Sequence, residues 1–137
     1  MKVLALDYGR ARTGVAVSDP TGTLARPLGV VERAATEPGL DRLAALIDEE
    51  RPERVVVGLP ITLRGEVGEQ ARETERFVEA LRARVAVPVE PFDERFTTKL
   101  ALASGASAQG RARSAGSDAR AAAHLLSSYL EWSSRAG

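Results

Sequence analysis

Hydrophobic positions change period along this chain, and the changes mark out its elements. Val3-Leu4-Ala5-Leu6-Asp7-Tyr8 is apolar on both alternating faces, the pattern of a strand covered on both sides, and it predicts the central strand of a sheet. Gly9 to Arg12 has the length of a hairpin turn. Thr13 to Ser18 then reads as a second strand and Leu24 to Val31, past the Asp19-Pro20-Thr21-Gly22 turn, as a third. These three predict an antiparallel meander. From Glu37-Pro38 the period becomes helical: Leu40, Leu43, Leu46 and Ile47 share one face of a helix that ends before Arg51-Pro52. Arg54 to Gly58 is a short buried strand, Ala71, Thr74, Phe77, Val78 and Leu81 stripe a long amphipathic helix, and Pro88 to Phe92 supplies a fifth strand. Phe96 to Ala103 predicts a further helical turn or two. Ser104 to Ser117, small and polar, reads as a loop, and a last helix is expected from Asp118 to about Trp132.

The expected fold class is therefore α/β: a five-stranded mixed sheet, strands 1–3 an antiparallel meander, strands 4 and 5 parallel to strand 1, with flanking helices. At 137 residues, 44% hydrophobic and 28% charged, one domain spanning 1–137 is expected. No apolar run approaches the roughly 18 residues of a membrane span, and the N-terminus lacks the order of a signal peptide, so a soluble cytoplasmic protein is expected. The absence of cysteine excludes disulfides, thiolate nucleophiles and cysteine-held zinc or iron. A formal net charge of zero means that any grip on nucleic acid must come from a local basic patch. The excess of arginine over lysine, 17 to 2, together with abundant alanine, fits a GC-rich genome as well as it fits phosphate binding.

Three acids stand in uncomfortable places. Asp7 shares a face with Val3 and Ala5 at the end of the most hydrophobic strand, where an ionised carboxylate costs several kcal/mol unless paired or bound to a cation. Ligands of open α/β sheets bind beyond the carboxyl ends of strands, which is where Asp7 lies. Glu94 follows the fifth strand and emerges at the same edge if that strand runs parallel to the first; Asp93 beside it should point the other way. Asp118 falls four residues before Ala122 on the stripe Ala122, Leu125, Leu126, Tyr129, and so projects from the buried face of the last helix. Each has a plainer reading: Asp7 held by backbone donors, Glu94 paired with Arg95 or Lys99, Asp118 complementing a helix start capped by Ser117. Taken together, with no cysteine and no histidine pair, they favour hard, oxygen-ligated cations such as Mg²⁺ or Mn²⁺. His124, six residues from Asp118, reads as a partly exposed helix residue, and Tyr129 and Trp132 as packing residues.

Jointly, Leu6-Asp7-Tyr8-Gly9 with Thr13 to Asp19, Val57-Gly58-Leu59-Pro60 with Gly65 and Gln70, Asp93-Glu94-Arg95-Phe96-Thr97-Thr98, and Asp118 with Ala121, Ala122, Leu125, Leu126, Tyr129 and Leu130 resemble the YqgF family. Its members are also described as RuvX-like Holliday junction resolvases or pre-16S rRNA nucleases, and the resemblance covers nearly the whole chain. It implies a ribonuclease H-like fold, a bacterial cytoplasmic protein, maturation of the 5′ end of pre-16S rRNA, and catalytic, metal-holding acids at Asp7, Glu94 and Asp118. Two departures stand out. The segment before Asp118 carries Arg111 and Arg113 where relatives often have lysines, and the position three residues after Asp118, where wider-superfamily resolvases place a fourth acid or a histidine, is Ala121.

The chemistry expected is phosphodiester hydrolysis assisted by paired divalent ions, Mg²⁺ or Mn²⁺, with Asp7 the bridging ligand. Arg10, Arg12, Arg95, Lys99, Arg111 and Arg113 are the candidate contacts to nucleic acid, which would be precursor rRNA, branched DNA or single-stranded DNA. A homodimer is compatible with the sequence. Asp7-Tyr8-Gly9 with Thr13-Gly14 also resembles the first phosphate loop of actin- and hexokinase-like enzymes, but the chain has no second such loop. The rival outside enzymology is an RNA-binding assembly module that kept the fold and lost metal binding.

Overall fold

Residues 1–60, 68–93 and 115–136 are described by a computed structural model, and they carry five strands and three helices. The order is β1 (Val3–Asp7), β2 (Arg12–Ser18), β3 (Ala25–Glu32), α1 (Glu37–Glu50), β4 (Arg54–Leu59), α2 (Glu69–Arg82), β5 (Val89–Asp93) and α3 (Ala115–Ala136). The sheet order is β3-β2-β1-β4-β5. β2 is antiparallel to both β1 and β3, while β1, β4 and β5 are mutually parallel. The mixed sheet expected from the hydrophobic pattern is the one observed, with strand limits moved by one residue or so.

The central place of β1 follows from its sequence. Val3 to Leu6 are fully buried because helices cover both faces of the sheet. On one face Leu4, Leu6, Tyr8, Val15, Val55 and Val57 pack with Leu40, Leu43 and Ile47 of α1 and Phe77, Val78 and Leu81 of α2. On the other, Val3, Ala5, Ala16, Val56 and Phe92 pack under Ala122, Leu125, Leu126 and Tyr129 of α3. Successive residues of β1 thus enter two different cores, and a one-residue slip would exchange them.

α1 begins at the Thr36 N-cap, whose hydroxyl accepts from the Gly39 amide at 3.3 Å. It ends at Arg51, in left-handed conformation (φ 53°), whose amide donates to the Ile47 carbonyl; Pro52 then forbids continuation. α3 starts three residues earlier than expected. Gly116 and Ser117, which suggested a loop and a cap, lie inside its first turn, where amides have no intrahelical acceptor to lose and helix-weak residues cost little. The helical turn expected over 96–103 and most of the loop expected over 104–117 lie outside the described residues. Among the described residues, no helix is long and apolar enough to cross a membrane.

Candidate active site

The parallel arrangement collects chemistry at one edge of the sheet. β1, β4 and β5 all end there, at Asp7, Leu59 and Asp93. β3 runs the same way, so its end at Glu32, paired with Arg12 at the start of β2, reaches the same edge. Asp7 is half-buried, pairs with Gly14, and by alternation lies on the face covered by α3, with Val3 and Ala5. Phe92 shares that face and Asp93 by alternation takes the opposite one, while Glu94, against which its direction was expected, lies outside the described residues.

α3 is anchored at the far edge of the sheet. Arg54, at the start of β4, donates through Nη1 to the Tyr129 hydroxyl at 2.5 Å, and its Nε lies 3.5 Å from the Glu90 carboxylate. α3 packs mainly across β2, β3 and β1, with Tyr129 reaching toward the beginning of β4, and its backbone at position 118 is about three turns before Tyr129. The Asp118 side chain and the whole of Glu94 lie outside the described residues, so Asp7 is the member of the candidate triad whose surroundings are described. Among the described residues no group of three histidine, cysteine, aspartate or glutamate side chains is gathered to hold a metal.

On the α1 and α2 side of the same edge, the turn after Asp7 is tied down by a residue that sequence reading passed over. Glu73 of α2 accepts from the Tyr8 hydroxyl at 2.8 Å and from Arg10 through both Nη2 (2.7 Å) and Nε (3.3 Å). The hydrogen bonds from Arg10 and then Tyr8 lower the Glu73 pKa to about 2. Burial, and then the bond to Glu73, raise the Tyr8 phenol to about 12, which keeps it a donor. The Tyr8 ring stacks on Phe77 with centroids 4.5 Å apart, fixing the phenol over α2. The turn itself requires Gly9: a Cβ there would stand 2.4 Å from the Arg12 carbonyl oxygen. Two open clefts flank this cluster, one of about 320 Å³ beside Gln70 and one of about 480 Å³ beside Arg33 and Thr36.

The candidate contacts to nucleic acid divide accordingly. Arg10 is at the sheet edge, its side chain 83% exposed, but engaged with Glu73. Arg12 is half-buried at the start of β2. Arg95, Lys99, Arg111 and Arg113 lie outside the described residues. His124 is exposed on α3, and Tyr129 and Trp132 pack against Phe92, as expected of packing residues. Glu73 escaped notice because Glu69, Glu73, Glu75 and Glu79 together read as a solvated helix face.

A model of the RuvX family, described as Holliday junction resolvase, matches residues 1–132. The protein named "Putative pre-16S rRNA nuclease" from Rubrobacter xylanophilus is 50% identical over 133 residues, which cover 95% of this chain and 92% of that protein. Its namesake from Desulforudis audaxviator is 42% identical over 134 residues, covering 95% and 94%. Among solved structures, Thermus thermophilus RuvC in complex with a Holliday junction substrate superimposes with a TM-score of 0.61 at 21% identity, over 97% of this chain and 96% of that one. The fowlpox virus Holliday junction resolvase gives 0.53 at 13% identity, over 96% and 99%. These two likenesses concern the fold, which is ribonuclease H-like as expected.

Proposed function

The chain belongs to the RuvX family, and from that membership we propose that it is a divalent-metal-dependent nuclease that processes the 5′ end of pre-16S rRNA. The observation that carries this reading is 50% identity across almost the whole of both chains with the Rubrobacter xylanophilus protein named "Putative pre-16S rRNA nuclease". Asp7, Glu94 and Asp118 are the residues proposed to act, and they would hold Mg²⁺ or Mn²⁺. Three carboxylates are hard oxygen donors of the kind those ions take. The half-buried position of Asp7, at a strand end, suits a carboxylate that must stay ionised yet reachable. Bound there, the ions supply electrostatic stabilisation to the charge that develops on the phosphodiester.

The remaining work falls to the chain itself. Gly9 lets the β1–β2 turn fold tightly beside Asp7, and Glu73 with Tyr8 holds Arg10 beside that turn. Positioning of the substrate backbone is then a task for arginines around the edge, which contact phosphates without reading bases.

A second reading, cleavage of branched DNA, is favoured by the description of the matching family model as Holliday junction resolvase. A panel of matched precursor rRNA, single-stranded DNA and four-way junction, incubated with purified protein in Mg²⁺, Mn²⁺ or chelator, separates the two. Metal-dependent cutting of the RNA is expected, and preferential cutting of the junction would promote the second reading. No cutting of any substrate in either metal would leave a nonenzymatic binding module.

A further inference from the structure

We propose that the cleft between the β1–β2 turn and the segment leading into α1 is a phosphate subsite for the nucleic-acid strand, with Arg10 and Arg33 as its cations and Glu73 positioning Arg10. The proposal rests on the nuclease reading and adds to it a place where the strand is gripped on the face of the sheet opposite to Asp7. The cleft, about 480 Å³, is lined by Tyr8, Arg10, Ala11, Arg33, Thr36 and Glu73 among others. It opens at the edge where β1 and β3 both end, so it adjoins Asp7 but lies on the α1 and α2 side of the sheet. A strand crossing that edge can meet Asp7 on one side and these arginines on the other.

The two arginines are built in differently. Glu73 takes the Nε and Nη2 side of Arg10, which leaves its Nη1 group uncommitted and the guanidinium plane fixed. An arginine held in this way loses little further freedom when it binds a phosphate. Arg33 makes no side-chain hydrogen bond or ion pair among the described residues, so its charge is not cancelled locally as that of Arg10 is.

The backbone of Arg33 is held in the left-handed region at φ 48°, an uncommon conformation for a residue with a long side chain. Its amide donates to the Ala11 carbonyl at 2.9 Å, and its carbonyl accepts from the Thr36 amide at 3.0 Å and hydroxyl at 2.7 Å. Gly39 makes room for this fold, because a Cβ there would lie 2.1 Å from the Arg33 carbonyl oxygen. A position that glycine would fill at lower conformational cost carries instead an unpaired cation facing a cleft beside another arginine. In a chain whose formal net charge is zero, one uncancelled cation beside an arginine already oriented by Glu73 is the kind of local feature that attraction to a polyanion requires.

The test is binding of short single-stranded RNA and DNA of matched sequence, followed by fluorescence anisotropy over a range of salt. The full chain carries Asp7→Asn throughout so that the strand stays intact. Arg33→Ala is expected to weaken binding about tenfold at low salt. It should also reduce the slope of log affinity against log salt by about one phosphate contact, equally for RNA and DNA. Arg33→Gly relieves the backbone and should melt no lower than its parent, yet bind as weakly as Arg33→Ala, which separates lost grip from lost folding. Arg26→Ala, on exposed β3 at the opposite edge, should leave affinity and slope unchanged. Arg33 variants with the parent's affinity and slope would overturn the subsite while leaving the nuclease reading intact. Failure of the parent to bind either strand would overturn the reading as a nuclease of precursor rRNA strands, and the subsite with it.

Discussion

Asp7 could be found in the sequence because it is out of place: a carboxylate at the end of an otherwise apolar strand signals its own need for a partner or a cation. Glu73 could not, because a glutamate on an amphipathic helix is ordinary, and its partners Tyr8 and Arg10 are more than sixty residues away in sequence. The bonds from Arg10 and Tyr8 make a pH prediction. The folded-state pKa of Glu73, about 2, lies below the ordinary glutamate value of 4.5, so the ionised form is favoured by folding. That contribution is complete above about pH 4.5 and is lost as pH falls toward 2. Glu73→Gln should therefore flatten the acid limb of the stability profile in that window, measured by denaturant unfolding at stepped pH. An unchanged limb would show that Arg10 does not hold Glu73 in solution. Arg33 was equally hidden, since neither its left-handed backbone nor the cleft beside it leaves a mark on the residue pattern.

Elements were more legible than single contacts, and for a physical reason: burial imposes a period on a run of residues, whereas one hydrogen bond imposes nothing. The runs Val3 to Leu6 and Val55 to Val57 announced covered strands, and both are buried on both faces. All five residues of the α2 stripe, Ala71, Thr74, Phe77, Val78 and Leu81, face the core. The start of α3 was misplaced because Gly116 and Ser117 carry loop propensity, and propensity yields to context in a first turn. Two substitutions probe how these elements are held. Leu126→Ala, at a fully buried position of α3, should cost about 2–5 kcal/mol in chemical denaturation, since it removes packing against Val3, Ala5 and Val56. Thr36→Ala should cost about 1 kcal/mol by loss of the cap on α1. A Thr36→Ala cost as large as that of Leu126→Ala would mean that the segment before α1 carries more of the fold than its hydrogen bonds imply.

For the molecule as a whole, α/β alternation predicted parallel strands, and the order β3-β2-β1-β4-β5 places the meander on one side of β1 and the parallel pair on the other. The parallel run of β1, β4 and β5 brings Asp7 and the end of β5 to one edge, the pairing of β4 with β1 rather than with β3 sets them only two strands apart there, and both could be read only conditionally from the chain. Periodicity says that a strand is covered on both faces, without saying which strands are its neighbours. The wider resemblance supplied the rest, and it agrees with the RuvX family match over residues 1–132. The proposed function makes one edge of this sheet a metal-dependent catalytic centre for phosphodiester hydrolysis. Its most direct test is single-turnover cleavage of a precursor rRNA fragment in Mg²⁺ by the wild-type chain and by Asp7→Asn, Glu94→Gln and Asp118→Asn, each checked for folding by thermal melting. Each substitution is predicted to lower the cleavage rate by about 100-fold or more with the fold retained. A folded Asp7→Asn protein that cuts at the wild-type rate would contradict the account.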